Sequence, residues 1–201
     1  MKLYNAKQAP NPKRVRVFIA EKGIEIPTDY VEIGKGTRSP AFAKINSLGL
    51  VPVLELDDGT LLSESIAICR YLEALYPDPP LFGADPKSSA LIEMWCRRLE
   101  LEVMRPMGDV ANHSFSFFAE RMEQLPAYAD VQRRTASAKL AWLDREMADS
   151  AYIAGDTFSM ADIVGMNIVD LIGFLEIEVP PGLDRFATWA DRLRSRPSFA
   201  V

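Results

Sequence analysis

Short apolar runs separated by turn residues fill the first third of the chain, and long helical periods replace them afterwards. Residues 2–5 read as a first strand. Asn11-Pro12 then opens a helix running to about Lys22, because Asn is a favoured N-cap and Pro suits a first helical position; Gly23 is its stop. Residues 24–33 contain a second strand with Tyr30, Val31 and Ile33 as its apolar or aromatic members. Residues 34–39 are a loop and 40–45 a short helix. Two strands, 53–56 and 60–62, flank Asp57-Asp58-Gly59, a tight-turn signal. A helix over 64–76 closes a βαβαββα order, which implies a mixed sheet with helices on both sides.

Pro77-Asp78-Pro79-Pro80 breaks that helix and starts a linker over 78–86. Beyond it no convincing strand appears. Helical patterns run over 88–118, 128–147, 160–174 and 183–195, so an all-helical domain over 87–201 follows an α/β domain over 1–77. In Phe158-Ser159-Met160-Ala161-Asp162-Ile163, Ser159 and Asp162 have capping-box spacing, and Phe158 and Ile163 flank them as a hydrophobic staple. That makes Asp162 a folding device rather than a catalytic acid.

Composition narrows the field. The 201 residues are 48% hydrophobic and 25% charged, as in a globular protein with a packed core. A net charge of −5 with no basic stripe argues against nucleic acid. Cys69 and Cys96 fall inside helical patterns and only one histidine is present, so neither a disulfide framework nor a metal site is expected. Without a signal-like or membrane-spanning apolar stretch, a cytoplasmic location is expected.

The most informative residues are Gly49-Leu50-Val51-Pro52-Val53-Leu54 and Glu64-Ser65. A proline between apolar β-formers marks a strand start and a candidate cis peptide. It leaves the N–H and C=O of Val51 free to pair with an extended peptide. Glu64-Ser65 at a helix N-terminus offers a carboxylate, a hydroxyl and orphan amides, a set that suits an amino acid's own ammonium and carboxylate.

In this order the two motifs resemble the glutathione transferase superfamily, and Ala154-Gly155-Asp156-Thr157-Phe158-Ser159-Met160-Ala161-Asp162 resembles a recurring element of its helical domain. The N-terminal half is most similar to a bacterial or fungal branch near the theta and nu classes. The resemblance implies a thioredoxin-like N-terminal domain and an all-helical C-terminal domain carrying a hydrophobic co-substrate site. It implies that glutathione is the co-substrate, that a small hydrophobic electrophile is the partner, and that the protein is a homodimer with a detoxifying activity. Glu64 would accept from the γ-glutamyl ammonium, and Ser65 would bind its carboxylate. Val51, held by Pro52, would pair with the cysteinyl backbone. Arg38, with Lys35 second, would hold the glycyl carboxylate. Leu50 departs from the pattern, since many members carry a cation or amide there.

The thiol is the harder problem. A free thiol has a pKa near ~8.5, so lowering it by about two units requires roughly 2.7 kcal/mol of thiolate stabilisation. Ala9 stands where relatives carry Ser or Cys, and Tyr4 lies too early to replace it. Two candidates remain. One is Asn11 with the helix N-terminus it opens. The other is His113, with Ser114 or Ser116, holding an activating water as in some relatives. Met104, Met107, Phe115, Phe117 and Phe118 are candidate linings of the co-substrate pocket. A glutathione-dependent disulfide or peroxide reductase and a non-catalytic module of the same fold are the competing readings.

Overall fold

The computed structural model describes residues 1–147 and 149–201. It divides into two compact units: residues 1–82 with 197–201, and residues 83–196.

The first unit is built on a four-stranded sheet of β1 (Lys2–Asn5), β2 (Thr28–Tyr30), β3 (Val53–Glu55) and β4 (Leu61–Ser63) in the order β2-β1-β3-β4. β2 runs parallel to β1, while β3 and β4 are antiparallel to their neighbours. Successive residues of β1 face opposite sides of the sheet. Leu3 is buried, and Tyr4 meets Phe42 of α2 (Pro40–Ala43) edge-on, 6.3 Å between ring centres. The helices α1 (Pro10–Lys22) and α3 (Ser65–Leu75) pack on one another. The βαβαββα order and the mixed sheet are those expected of a thioredoxin-like domain.

One expected boundary moves. α1 begins at Pro10, with Ala9 as an N-cap that makes no side-chain bond, so Asn11 is the second helical residue rather than the cap. First-turn amides have no partner within a helix and proline has its φ preset, so Pro10 starts the helix one residue before Asn11 could cap it. Gly23, at φ 62°, ends α1. Lys22 of its last turn is buried, donates to the carbonyl of Pro77 and pairs with Glu73 of α3, tying the helix ends together.

The second unit is all-helical: α4 (Pro86–Arg98), α5 (Arg105–Ser114), α6 (Pro126–Glu146), α7 (Met160–Phe174) and α8 (Asp184–Arg194). The single helix expected over 88–118 is interrupted twice. A π-helical stretch, Leu99–Met104, joins α4 to α5, with the Arg105 amide bonded five residues back to Glu100. Pro106 lies just beyond this wide turn and lacks an N–H of its own. The helix then ends at Ser114, and Ser116–Phe118 forms a short 3-10 turn.

α7 is the core of this unit. Ten consecutive residues, Met160 to Val169, are buried, as expected of a helix surrounded by others. The Ser159–Asp162 capping box forms. Oδ2 of Asp162 accepts from the Ser159 amide at 3.0 Å and from its hydroxyl at 3.1 Å. Oδ1 accepts from the Ile153 amide at 3.0 Å and the Trp189 indole N–H at 2.8 Å. Burial pushes this carboxyl above its ordinary range, against the pull of those four donors.

Candidate functional site

The strand pairing of the first unit gathers the two informative motifs. Val53 pairs with Ser63, so the residues just before β3 and those just after β4 lie at one end of the hairpin. Val51-Pro52 and Glu64-Ser65 are those residues. β1 and β2 run parallel and end on the same side, at Asn5 and Tyr30. The loop into α1 and the loop carrying Lys35 and Arg38 therefore also start there.

The Val51–Pro52 peptide is cis. Pro52 is buried, Val51 is half-buried, and the Val51 N–H and C=O take no partner among the described residues. Ahead of them, Asn46 shapes the approach: its side-chain oxygen accepts from the Leu48 amide at 3.0 Å and its NH₂ donates to the Leu50 carbonyl at 2.8 Å. Gly49 lies at φ 63°, and a Cβ there would sit 3.0 Å from the Thr37 carbonyl oxygen. Glycine there lets the 34–39 loop come close to the 46–52 loop. Thr37 is itself buried, its hydroxyl accepting from the Gly34 amide at 3.1 Å, while Lys35 and Arg38 on either side of it are exposed.

Glu64 has φ 69° and ψ 114°, a conformation L-residues rarely adopt, and its side chain is exposed. Backbone held in a sparsely populated region is typical of binding sites, where the surroundings over-determine it. Ser65 follows as the first residue of α3 and is 4% exposed. Its hydroxyl accepts a hydrogen bond from Nη1 of Arg14 at 2.9 Å. Arg14 is itself 2% exposed, and it is the residue of this site that sequence reasoning missed. A signal was present: Arg14, Phe18 and Lys22 recur at helical spacing on one buried stripe of α1, so a cation stands where the core is faced.

The β1–α1 junction is held without any contribution from Ala9. Asn5, buried, donates to the Pro12 carbonyl at 3.3 Å and accepts from the Ala6 amide at 2.7 Å. Arg16 donates to Asn5, at 2.8 Å, and to the carbonyls of Ala6 and Lys7. Asn11 is exposed in the first turn. Tyr4 donates its hydroxyl to Glu55 at 2.6 Å, holding that carboxyl below its ordinary range.

His113 belongs to the second unit, in the last turn of α5. Its Nδ1 accepts from the Leu125 amide at 3.1 Å, and its ring meets Tyr128 edge-on at 5.0 Å. Nδ1 is an acceptor there, so the neutral ring carries its proton on Nε2. Gln124 donates to the carbonyls of Asn112 and Phe115, both at 2.7 Å, and braces the same turn. Ser114 accepts from Arg133 at 3.1 Å. Of the candidate pocket residues Met107 is fully buried core, whereas Phe117 is 42% exposed and Phe115 stacks on Phe174 at 5.0 Å.

Chemically, the first unit offers an edge-like N–H and C=O pair, an exposed carboxylate, a hydroxyl at a helix N-terminus and two exposed loop cations. These are complementary to a short peptide with an ammonium and two carboxylates. No cluster able to hold a metal occurs among the described residues. No helix among them is long and apolar enough to cross a membrane.

Comparison with known proteins agrees with this geometry. Residues 3–80 match the glutathione S-transferase N-terminal domain, and residues 108–197 the glutathione S-transferase C-terminal domain. Glutathione S-transferase 2 of Saccharomyces cerevisiae is 34% identical over 98% of this chain and 87% of its own length. The crystal structure of Gtt2 from the same yeast superposes with a TM-score of 0.91 at 32% identity, covering 100% of this chain and 99% of that one. A Gtt2-class glutathione S-transferase of Vibrio parahaemolyticus gives 0.86 at 33% identity, over 99% of this chain and 95% of its own. With both domains matched in order and an identity of 34% along nearly its full length, the chain belongs to the glutathione S-transferase family.

Proposed function

We propose that this transferase, a Gtt2-like member of the bacterial and fungal branch, binds reduced glutathione at the shared sheet end of residues 1–77 and directs its sulfur onto a small hydrophobic electrophile. The observation that carries this reading is the convergence of Val51, cis Pro52, the strained Glu64 and the buried Ser65 at one end of the β3–β4 hairpin. Val51 would exchange two backbone hydrogen bonds with the cysteinyl residue. Glu64 would hold the γ-glutamyl ammonium and Ser65 its carboxylate. Arg38, or Lys35, would fork onto the glycyl carboxylate.

Thiolate stabilisation falls to Asn11 with the α1 N-terminus and to His113. As an Nε2–H donor, His113 would orient a water rather than act as a base through that nitrogen, and Ser116 is the hydroxyl beside it that Arg133 does not engage. The helical domain, residues 87–201, would supply the electrophile pocket. A homodimer working in a reducing cytoplasm fits the two buried free cysteines and the family.

The first test is thermal unfolding with and without millimolar glutathione, for wild type and Glu64→Ala/Ser65→Ala. Saturation at about 100 times Kd adds roughly 2.7 kcal/mol. For a chain of this size that is a rise on the order of 5 to 10 °C. A rise in wild type that is lost in the double variant supports the site. No rise in wild type moves the weight to the non-catalytic module. Turnover of an aryl halide against a small disulfide then separates transferase from reductase, which the asparagine at position 11 otherwise favours.

A further inference from the structure

The γ-glutamyl group of glutathione carries an ammonium and a carboxylate on the same carbon, so a site must tell the two charges apart at close quarters. A serine hydroxyl has one donor and two acceptor positions, whereas a guanidinium only donates. With Arg14 donating to Oγ at 2.9 Å, one acceptor position of Ser65 is filled, and the hydroxyl proton must point away from the guanidinium. A hydroxyl that accepts from a cation is also the stronger donor. Both residues are buried, at 2% and 4% exposure, so the contact is weakly screened by solvent. The α3 N-terminus adds positive potential at the same point.

Building on the glutathione reading above, we infer that Arg14 is a positioning residue that fixes the Ser65 hydroxyl as a donor and makes its subsite selective for the γ-glutamyl carboxylate. The ammonium is thereby directed to Glu64, the exposed carboxylate one residue earlier. Arg14 thus sets which of the two charges on that carbon faces Ser65 and which faces Glu64.

Calorimetric titration of the full-length protein with two ligands tests this: reduced glutathione, and 4-aminobutyryl-cysteinyl-glycine, which lacks only the γ-glutamyl carboxylate. Wild type should bind the second about tenfold or more weakly, the loss of one charge-assisted hydrogen bond. Arg14→Met should weaken glutathione by about tenfold while leaving the decarboxylated peptide within about twofold, and Arg14→Lys should restore most of the loss. In a Ser65→Ala background Arg14→Met should add nothing further. Equal weakening of both ligands by Arg14→Met would mean a structural role alone and overturn the inference. So would equal binding of the two ligands by wild type, a result that needs no variant to fold. If Arg14→Met does not fold, the neutral Arg14→Gln decides: a loss confined to glutathione supports the inference, and a loss for both ligands overturns it. Absence of glutathione binding by wild type is a different failure, because it removes the glutathione reading itself.

Discussion

Replacing Asp162 by Ala should be among the most damaging single changes in the chain, and the structure allows the size of the loss to be worked out. The carboxylate accepts from the Ile153 amide, the Ser159 amide, the Ser159 hydroxyl and the Trp189 indole, all at 2.8 to 3.1 Å. The Ser159 hydroxyl can rotate to another acceptor, but the other three donors are fixed and buried. Each donor left unsatisfied costs about 1–3 kcal/mol, which gives roughly 3–9 kcal/mol before any relief. Water entering the vacated space will recover part, so about 4 kcal/mol is expected, in the range for stripping a buried charge from its partners. That corresponds to a fall in Tm of roughly 8 to 16 °C at this chain length. Denaturant unfolding of Asp162→Ala, Trp189→Phe and the double variant measures it. Trp189→Phe alone should cost about 1–2 kcal/mol. The double variant should lose less than the sum by about 1 kcal/mol, because the indole N–H removed by the second change is already orphaned by the first. A loss under about 1 kcal/mol for Asp162→Ala, or strict additivity in the cycle, would refute the reasoning.

Three further outcomes are expected. Gly165→Ala should destabilise by about 1–3 kcal/mol despite alanine's better helix propensity; a Cβ at that position would lie 2.2 Å from the Trp189 ring, and unfolding midpoints check it. Lys22→Met should cost about 3 kcal/mol by leaving the Pro77 carbonyl and Glu73 without their buried ammonium, read from the same denaturation curves. Asp162→Asn should change the pH dependence of stability. Burial holds the native Asp162 carboxyl above its unfolded value, so the native state binds that proton more tightly. Its contribution is complete below the unfolded value of about 3.9 and is lost as pH rises through the native one. Wild-type stability measured against Asp162→Asn should therefore fall as pH rises from about 4.

Features that depend on neighbours in sequence were legible. The Ser159–Asp162 box, the Gly23 stop, the Asp57–Gly59 turn and the element order all follow from local chemistry. The backbone features at the end of the β3–β4 hairpin were legible because each comes from a short run with its own consequence: a proline at a strand start, and an acid and a serine at a helix start. What escaped depends on partners far along the chain. Arg14 reaches Ser65 across 51 positions, and in sequence it looks like half of a solvated Lys13–Arg14 pair. Trp189 reaches Asp162 across 27 positions, so the capping box disclosed one of the carboxylate's four donors, the Ser159 amide, and concealed the rest. The π-helical turn was invisible for another reason. Apolar residues keep a helical rhythm through Leu99–Met104, and the wide turn shifts the phase without breaking the pattern. At the first junction Asn11 had the chemistry of a cap, but the proline before it had already started the helix.

The Ile153 amide lies in a turn outside every helix, where exchange with solvent deuterium is ordinarily fast. Its acceptor, though, is an oxygen anchored at the start of the most buried helix of the second unit and held in turn by the indole of α8. Releasing that one proton requires the turn to leave the buried start of α7. Its exchange should therefore be much slower than that of its loop neighbours, reporting from one short turn on how firmly the turn is held to α7.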